Sequence, residues 1–350
     1  MRLINVKKLK SDMVLAKPIV INDRTLLNTG HKNLDKYKNK LLNFGINHVY
    51  IDDEYSKDIE INNVISDKTR NKSKKAIKSA MSKVSLNKKF NSEEIKDNIR
   101  CMTEEITNDN SILTNLTDIK TIDDYTFAHS INVSVISLMI GKALQYNQDE
   151  LEKLGIGAIL HDIGKVAISK SILTKPGKIT DEEFNQIKKH PKLGYDKLGE
   201  YYDITARSRV AVLSHHERID GSGYPNNREG NDIYEFARIV AVADVFDALT
   251  SHRCYRNRWP VHKATDFIIA QTNTHFDKKI VEAFLRNVAI YPNGTIVLLS
   301  NGEKGIVTSQ NGSFPQRPNI KVFKNKVGKN CSKKINLMEK LNITIIETEE

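Results

Sequence analysis

Residues 151–163 keep apolar side chains near 3.6-residue spacing, at Leu151, Leu154, Ala158, Ile159 and Ile163, and read as a helix with one buried face. Asp149 and Glu152 are placed to cap its start. Its last turn, in ILHDIGK at 159–165, sets His161 and Asp162 side by side at the end of an apolar run. Burying two such groups without partners carries a heavy desolvation cost, so the fold must bring partners to them.

Five further residues are candidates for that role. His129 lies early in an apolar helix, in YTFAHSINVSV, and His190 lies at a helix end, in IKKHP. His215 and His216 are adjacent in LSHHERIDGSGYP, and Asp244 lies in RIVAVADVFDALTS. Taken singly, each has a plain explanation. A lone histidine on an apolar helix is usually a hydrogen-bonded core or surface residue; His190 reads as a helix C-cap beside Lys188, Lys189 and Pro191. Asp244 can bond a neighbouring backbone group, and the His215–His216 pair can cap a helix before a glycine turn. Together, seven imidazoles and carboxylates on otherwise apolar helices favour a shared metal site, because these donors suit iron, manganese, zinc or nickel.

The rest of the chain is organised around that region. Residues 1–66 mix short β-like runs, MVLAKPIVI and INHVYIDD, with an amphipathic piece around 34–44, which predicts a small α+β module. Residues 67–120 read as linker helices: 67–89 carry nine basic residues and one acidic residue around Ala76, Ala80, Met81 and Val84, and Ile95, Ile99, Met102 and Ile106 continue as one stripe. A solvated connecting helix is the preferred reading of the basic segment over a nucleic-acid or membrane patch. Residues 121–290 hold the dense helical patterns, and 291–350 alternate between turn signals as a small β-barrel-like tail would.

Lys+Arg exceed Asp+Glu by 54 to 43, a net charge of +11 that suits an anionic partner without choosing one. No stretch is long and apolar enough to span a bilayer, and Cys101, Cys254 and Cys331 are scattered, which predicts a cytoplasmic protein without a disulfide framework.

The ordered set HDIGK at 161–165, HP at 190–191, HHERIDGSGYP at 215–225 and ADVFDALTSHRCYR at 243–256 resembles the HD-GYP domain phosphodiesterases, a branch of the HD-domain metal phosphohydrolases. The resemblance covers roughly 121–290, and Gly-Tyr-Pro makes it specific. KLKSDMVLAKPI and FGINHVYID are similar to a module often found before this domain, and YPNGTIVLLSNGEKGIV resembles its usual β tail.

The resemblance implies a mainly α fold, with an HD-type helical bundle as the catalytic domain, and hydrolysis of cyclic di-GMP to linear pGpG, GMP or both. It implies two divalent metal ions, iron or manganese, held by His129, His161, Asp162, His190, His215, His216 and Asp244, with Asp162 bridging them and a water between. Lys165 and the guanidinium groups of Arg253 and Arg256 would meet the phosphates. Asp247 shares a helix face with Asp244 and would hold a histidine or handle the leaving group's proton. Tyr224 would pack on a guanine or on a partner protein at the Gly-Tyr-Pro loop. A homodimer stays open; nucleic acid is set aside.

Tyr125 stands where some members of that family carry a glutamate for a third metal, so two metals are expected. Cys254 and Asn257 replace a common proline and lysine near the phosphate contacts. Two other classes remain beside the cyclic di-GMP hydrolase: an HD-type phosphohydrolase of another cyclic dinucleotide or nucleotide, and a non-catalytic sensor of the messenger.

Overall fold

A computed structural model describes residues 1–21, 24–61, 63–108, 125–251, 258–312 and 314–349. The chain opens with strands β1 (Arg2–Asn5), β2 (Val14–Leu15), β3 (Ile19–Ile21) and β4 (Arg24–Leu27), helix α1 (Lys38–Asn43) and strand β5 (His48–Asp52). β5 lies between β1 and β2, antiparallel to both, and β3 pairs with β4 in a separate hairpin. Alternate side chains of these short elements, among them Ile4, Val6, Leu15, Leu34, Leu41 and Val49, close a small core of their own.

Helices α2 (Asp67–Ser85) and α3 (Ser92–Asn108) lead into the bundle. The apolar stripes expected there face inward: Ala76, Ala80, Met81 and Val84 on α2, and Ile95, Ile99, Met102 and Ile106 on α3, all enter the main core. The bundle continues with α4 (Tyr125–Ala143), α5 (Gln148–Ile159), a 3-10 segment at Ile163–Ala167, α6 (Lys170–Leu173), α7 (Asp181–Ile187), α8 (His190–Leu198), α9 (Ala206–Ser214), α10 (Glu235–Thr250), α11 (Val261–Ala270) and α12 (Lys278–Leu285). α4 and α10 are apolar around nearly their whole circumference, which is the pattern of helices with no solvent face, and they pack against one another at the centre.

The start of α5 differs from expectation. Asn147, not Asp149, is the N-cap: its side chain accepts from the Glu150 N–H while Glu150 reaches back to the Asn147 N–H, a capping box that satisfies two donors at once. α5 also stops at Ile159, so His161 and Asp162 occupy the junction before the 3-10 segment rather than a last helical turn. The tight passage there depends on Gly164, whose absent Cβ would sit 2.0 Å from the His190 carbonyl oxygen.

β6 (Ile296–Leu299), β7 (Lys304–Ser309), β8 (Asn319–Lys324), β9 (Asn330–Asn336) and β10 (Ile345–Glu349) form one antiparallel sheet in the order β10-β6-β7-β8-β9. The expected barrel does not close among the described residues: β9 and β10 are the two edges, and a bulge between Ile345 and Glu347 shifts the register of the last pairing. The sheet touches the N-terminal elements through Tyr50, Ile59, Ile61 and Ile306, with Lys321 and Asp58 paired at 3.1 Å beside them. Among the described residues, no helix is long and apolar enough to cross a membrane.

Candidate metal centre

Five elements supply the ionisable groups. His129 lies one turn into α4, His161 and Asp162 in the junction between α5 and the 3-10 segment, His190 at the start of α8, His215 and His216 just past α9, and Asp244 and Asp247 three residues apart on α10. All are buried except His216, which is half-buried. The structure therefore gathers the seven candidate ligands into one interior cluster, in which two groups of three, His190 with His215 and His216 and His129 with His161 and Asp162, bring their donor atoms within 4.8 Å of each other.

Main-chain carbonyls fix how three of the rings face. Nδ1 of His161 lies 2.7 Å from the Ala158 oxygen, Nδ1 of His190 2.7 Å from the Ile187 oxygen, and Nδ1 of His215 2.8 Å from the Val212 oxygen. A carbonyl only accepts, so each Nδ1 carries a proton and each ring turns Nε2 inward. Nε2 of His190 meets Nε2 of His215 at 3.3 Å and Oδ1 of Asp162 at 3.3 Å; Nε2 of His161 is 3.4 Å from Oδ2 of Asp162. On the other side Nε2 of His129 is 3.1 Å from Oδ1 of Asp244 and 3.8 Å from Asp162, and Nδ1 of His216 is 3.9 Å from Asp244. Asp162, a member of the second group, also reaches the first through His190.

Burial would favour the neutral form of Asp162, but the Lys165 ammonium, with Nζ 2.6 Å from Oδ2, and His161 outweigh it and hold the carboxyl well below the usual range. Burial opposes ionisation of Asp244 too, and the His129 hydrogen bond and charge hold it well below the usual range. Burial and three neighbouring imidazoles push His215 well down; burial takes His216 down to about 3, with Asp244 pulling the other way. His129 moves up to about 9, because Asp244 and Asp247 overcome the burial that disfavours its charge. At neutral pH and without a metal ion the cluster thus holds ionised Asp162 and Asp244, a cationic His129 and neutral His215 and His216 rings.

This donor set fits divalent metal ions. Nε2 of His161 and Oδ1 of Asp162 are buried without a hydrogen-bond partner, and acceptor faces acceptor at His190–His215 and His190–Asp162. Cations relieve all of these contacts at once, and nitrogen with carboxylate oxygen is a borderline-to-hard set.

A profile of the HD domain family matches residues 100–280, more than half of the chain. The chain belongs to the HD domain family. A second profile, for a KOW domain associated with HD domain, matches residues 296–349, where β6 to β10 lie. A cyclic di-GMP phosphodiesterase of Pseudomonas aeruginosa is 39% identical over 211 residues, 60% of this chain and 51% of the relative. A cyclic di-GMP phosphodiesterase response regulator of Xanthomonas campestris pv. campestris is 42% identical over 168 residues, 48% of this chain and 44% of the relative. A 3'3'-cGAMP-specific phosphodiesterase of Vibrio cholerae is 36% identical over 163 residues, 46% of this chain and 31% of the relative. The chain spans about half or less of the length of these relatives.

Within the HD domain the remaining candidates differ in their settings. Asp247 is fully engaged: Oδ2 accepts from His129 Nδ1 at 2.7 Å, and Oδ1 accepts from Asn132 at 2.6 Å and Ser251 at 3.0 Å. Tyr224 stacks on the His216 ring at 4.7 Å between centroids and donates its main-chain N–H to the His216 carbonyl, so one ring face is already covered. Gly223 lets that loop fold back, since a Cβ there would lie 2.4 Å from Arg218 N. Arg253 and Arg256, with Cys254 and Asn257, lie outside the described residues, as does the side chain of Tyr125.

Sequence reasoning passed over Asn132 and Glu217. Asn132 follows His129 by three positions on α4 and reaches Asp247. Glu217 accepts the N–H groups of Asn226 at 2.7 Å and Arg228 at 3.1 Å, which braces the Gly-Tyr-Pro loop against the histidine pair. The signal for both was burial of a polar residue beside a candidate ligand, which only the fold reveals.

Proposed function

We propose that this chain is a metal-dependent phosphodiesterase that hydrolyses cyclic di-GMP to linear pGpG, GMP or both. The observation that carries the proposal is the set of inward Nε2 atoms, fixed by main-chain carbonyls, around the buried Asp162 carboxylate. His129, His161, Asp162, His190, His215, His216 and Asp244 would hold two divalent ions, iron or manganese. Bound there, the ions supply Lewis acidity toward a water and the phosphate oxygens.

The chain's own groups account for the rest. Water adds to phosphorus, the bond to the 3′ oxygen breaks, and that oxygen leaves with a proton. Lys165, one-third exposed beside Asp162, presents an ammonium to the non-bridging oxygens, where charge builds as the bond breaks. Asp247 sets the tautomer and direction of His129; with both oxygens occupied it is a positioning residue rather than the handler of the leaving group's proton. Tyr224, stacked on His216 beside the loop braced by Glu217, is the aromatic side chain next to the cluster that would meet a guanine. Arg253 and Arg256 are assigned to the phosphates on the motif alone.

The names of relatives support cyclic di-GMP, and the cGAMP-specific relative in Vibrio cholerae supports a hybrid cyclic dinucleotide as second reading. The test is purification without air, metal analysis per chain, and turnover of cyclic di-GMP beside 3'3'-cGAMP and nucleoside triphosphates. Turnover of cyclic di-GMP ahead of the others is expected. Metal-loaded protein that cleaves none of them refutes the enzyme reading and leaves the sensor.

A further inference from the structure

Arg70 is an unusual residue for the inward face of a linker helix. It is 7% exposed on α2, and its Nη1 donates to Oδ1 of Asn132 at 3.0 Å, on α4. The first turn of α2, just before it, is fixed by Glu105 of α3, which accepts from the Ser66 N–H at 2.6 Å, the Ser66 hydroxyl at 3.0 Å and the Thr69 hydroxyl at 2.6 Å. α2 packs against α4 and against the 3-10 segment that carries Lys165.

From Arg70 an unbroken path leads to the metal centre, and the polarity of every link is determined. A guanidinium has donors only, so Asn132 must turn its oxygen to Arg70. Its amide nitrogen then faces Asp247, a carboxylate that only accepts, at 2.6 Å. The other oxygen of Asp247 accepts the N–H of His129 Nδ1 at 2.7 Å, which leaves Nε2 of His129 to face the ion cluster with its lone pair once an ion displaces any proton there. Without the guanidinium the buried Asn132 oxygen loses the donor that anchors its amide, and the side chain that holds Asp247, and through it His129, loses its brace.

We infer that Arg70 is a positioning residue for His129, acting through Asn132 and Asp247 from a helix outside the motif-bearing region. The inference rests on the reading of the cluster as a metal site. It distinguishes Arg70 from a cation that merely fills the interior, because a filler affects folding and not the affinity of one ion.

Metal-depleted parent, Arg70→Met, Arg70→Lys and Asn132→Ala are titrated with Co²⁺, followed by its visible absorption, and with Mn²⁺ by calorimetry; melting of the metal-free proteins reports folding. Arg70→Met keeps the apolar stem and removes the donors, so one of two binding steps should weaken by roughly tenfold, the low end for outer-shell partners of a ligand. Arg70→Lys retains a donor for Asn132 and should recover part of that loss. Asn132→Ala cuts the path at its middle and should weaken the same step. It also decides the matter if Arg70→Met does not fold. Parental affinity at both steps in a folded Arg70→Met or Asn132→Ala protein overturns the inference. A parent that binds no ion refutes the metal site itself, which is a separate outcome.

Discussion

His190 and His215 aim Nε2 at Nε2 across 3.3 Å, and neither ring can turn away without giving up the main-chain carbonyl that holds its Nδ1. Two lone pairs so placed repel unless a proton or a cation lies with them, and burial disfavours the proton at His215.

That opposition makes the metal-free fold strained at its centre. A ligand that binds only the folded state stabilises it by about 2.7 kcal/mol at roughly 100 times its dissociation constant. Scanning calorimetry of chelator-treated protein should therefore show a melting temperature that climbs with added Mn²⁺ or Fe²⁺ and not with Na⁺. A melting temperature indifferent to every divalent ion would rule out the pair as ligands.

Asp162 and Asp247 separate a ligand from its support. Asp162→Asn keeps the volume but removes the negative charge that reaches both groups of donors, so metal content should fall by at least one ion per chain and hydrolysis should nearly vanish. Asp247→Asn cannot accept from His129 Nδ1 and from Asn132 with the same strength, since one end of its amide is a donor. It should bind metal about 10- to 100-fold more weakly, and turn over slowly once saturated. Metal analysis and turnover of both variants beside the parent make the check; equal metal content in all three defeats the assignment.

Gly164 ties the HD pair to the next histidine through backbone contact alone. A Cβ there would meet the His190 oxygen at 2.0 Å and the Gly194 nitrogen at 2.6 Å, atoms that cannot rotate aside. Overpacking of this kind costs about 1–3 kcal/mol or more, so Gly164→Ala should melt several degrees below the parent and lose metal affinity. Gly312, with nothing within 4 Å of its Cβ position, is the control, and Gly312→Ala should match the parent. Equal melting of the two variants would contradict the close approach.

The bundle was legible because α4, α5 and α10 run long enough for apolar periodicity to show, and because ionisable groups stand out against it. Asn132 did not stand out. A neutral amide within INVSV looks like any tolerated polar residue, and its partners Arg70 and Asp247 lie 62 and 115 positions away. The start of α5 was misread because Asp149, Glu150 and Glu152 all suit a first turn, and only backbone geometry selects Asn147 as cap. The open sheet was unreadable for a similar reason: whether β9 reaches β10 depends on strand register and a bulge, not on the alternation within any strand.

Lys165 offers the sharpest separation of roles. Its ammonium, 2.6 Å from Oδ2 of Asp162, fits either of two jobs: holding the carboxylate in place for the metals, or meeting the substrate phosphate that arrives beside them. The jobs predict opposite effects on metal binding. A structural ion pair that orients Asp162 would weaken metal binding when removed. A cation kept for the phosphate stands close to where divalent ions bind and repels them, so its removal should leave metal affinity equal or tighter. The one-third exposure of the side chain, against 2% for Asp162, favours the second job, since a group reserved for the interior has no need of solvent. Lys165→Met should therefore retain two metals per chain and the metal-dependent gain in melting temperature, while kcat/KM for cyclic di-GMP drops by about 100-fold, the scale on which a single transition-state donor acts. Steady-state kinetics with calorimetric metal titration on the same preparation decide between them. Loss of metal in proportion to loss of rate would return Lys165 to the structural role.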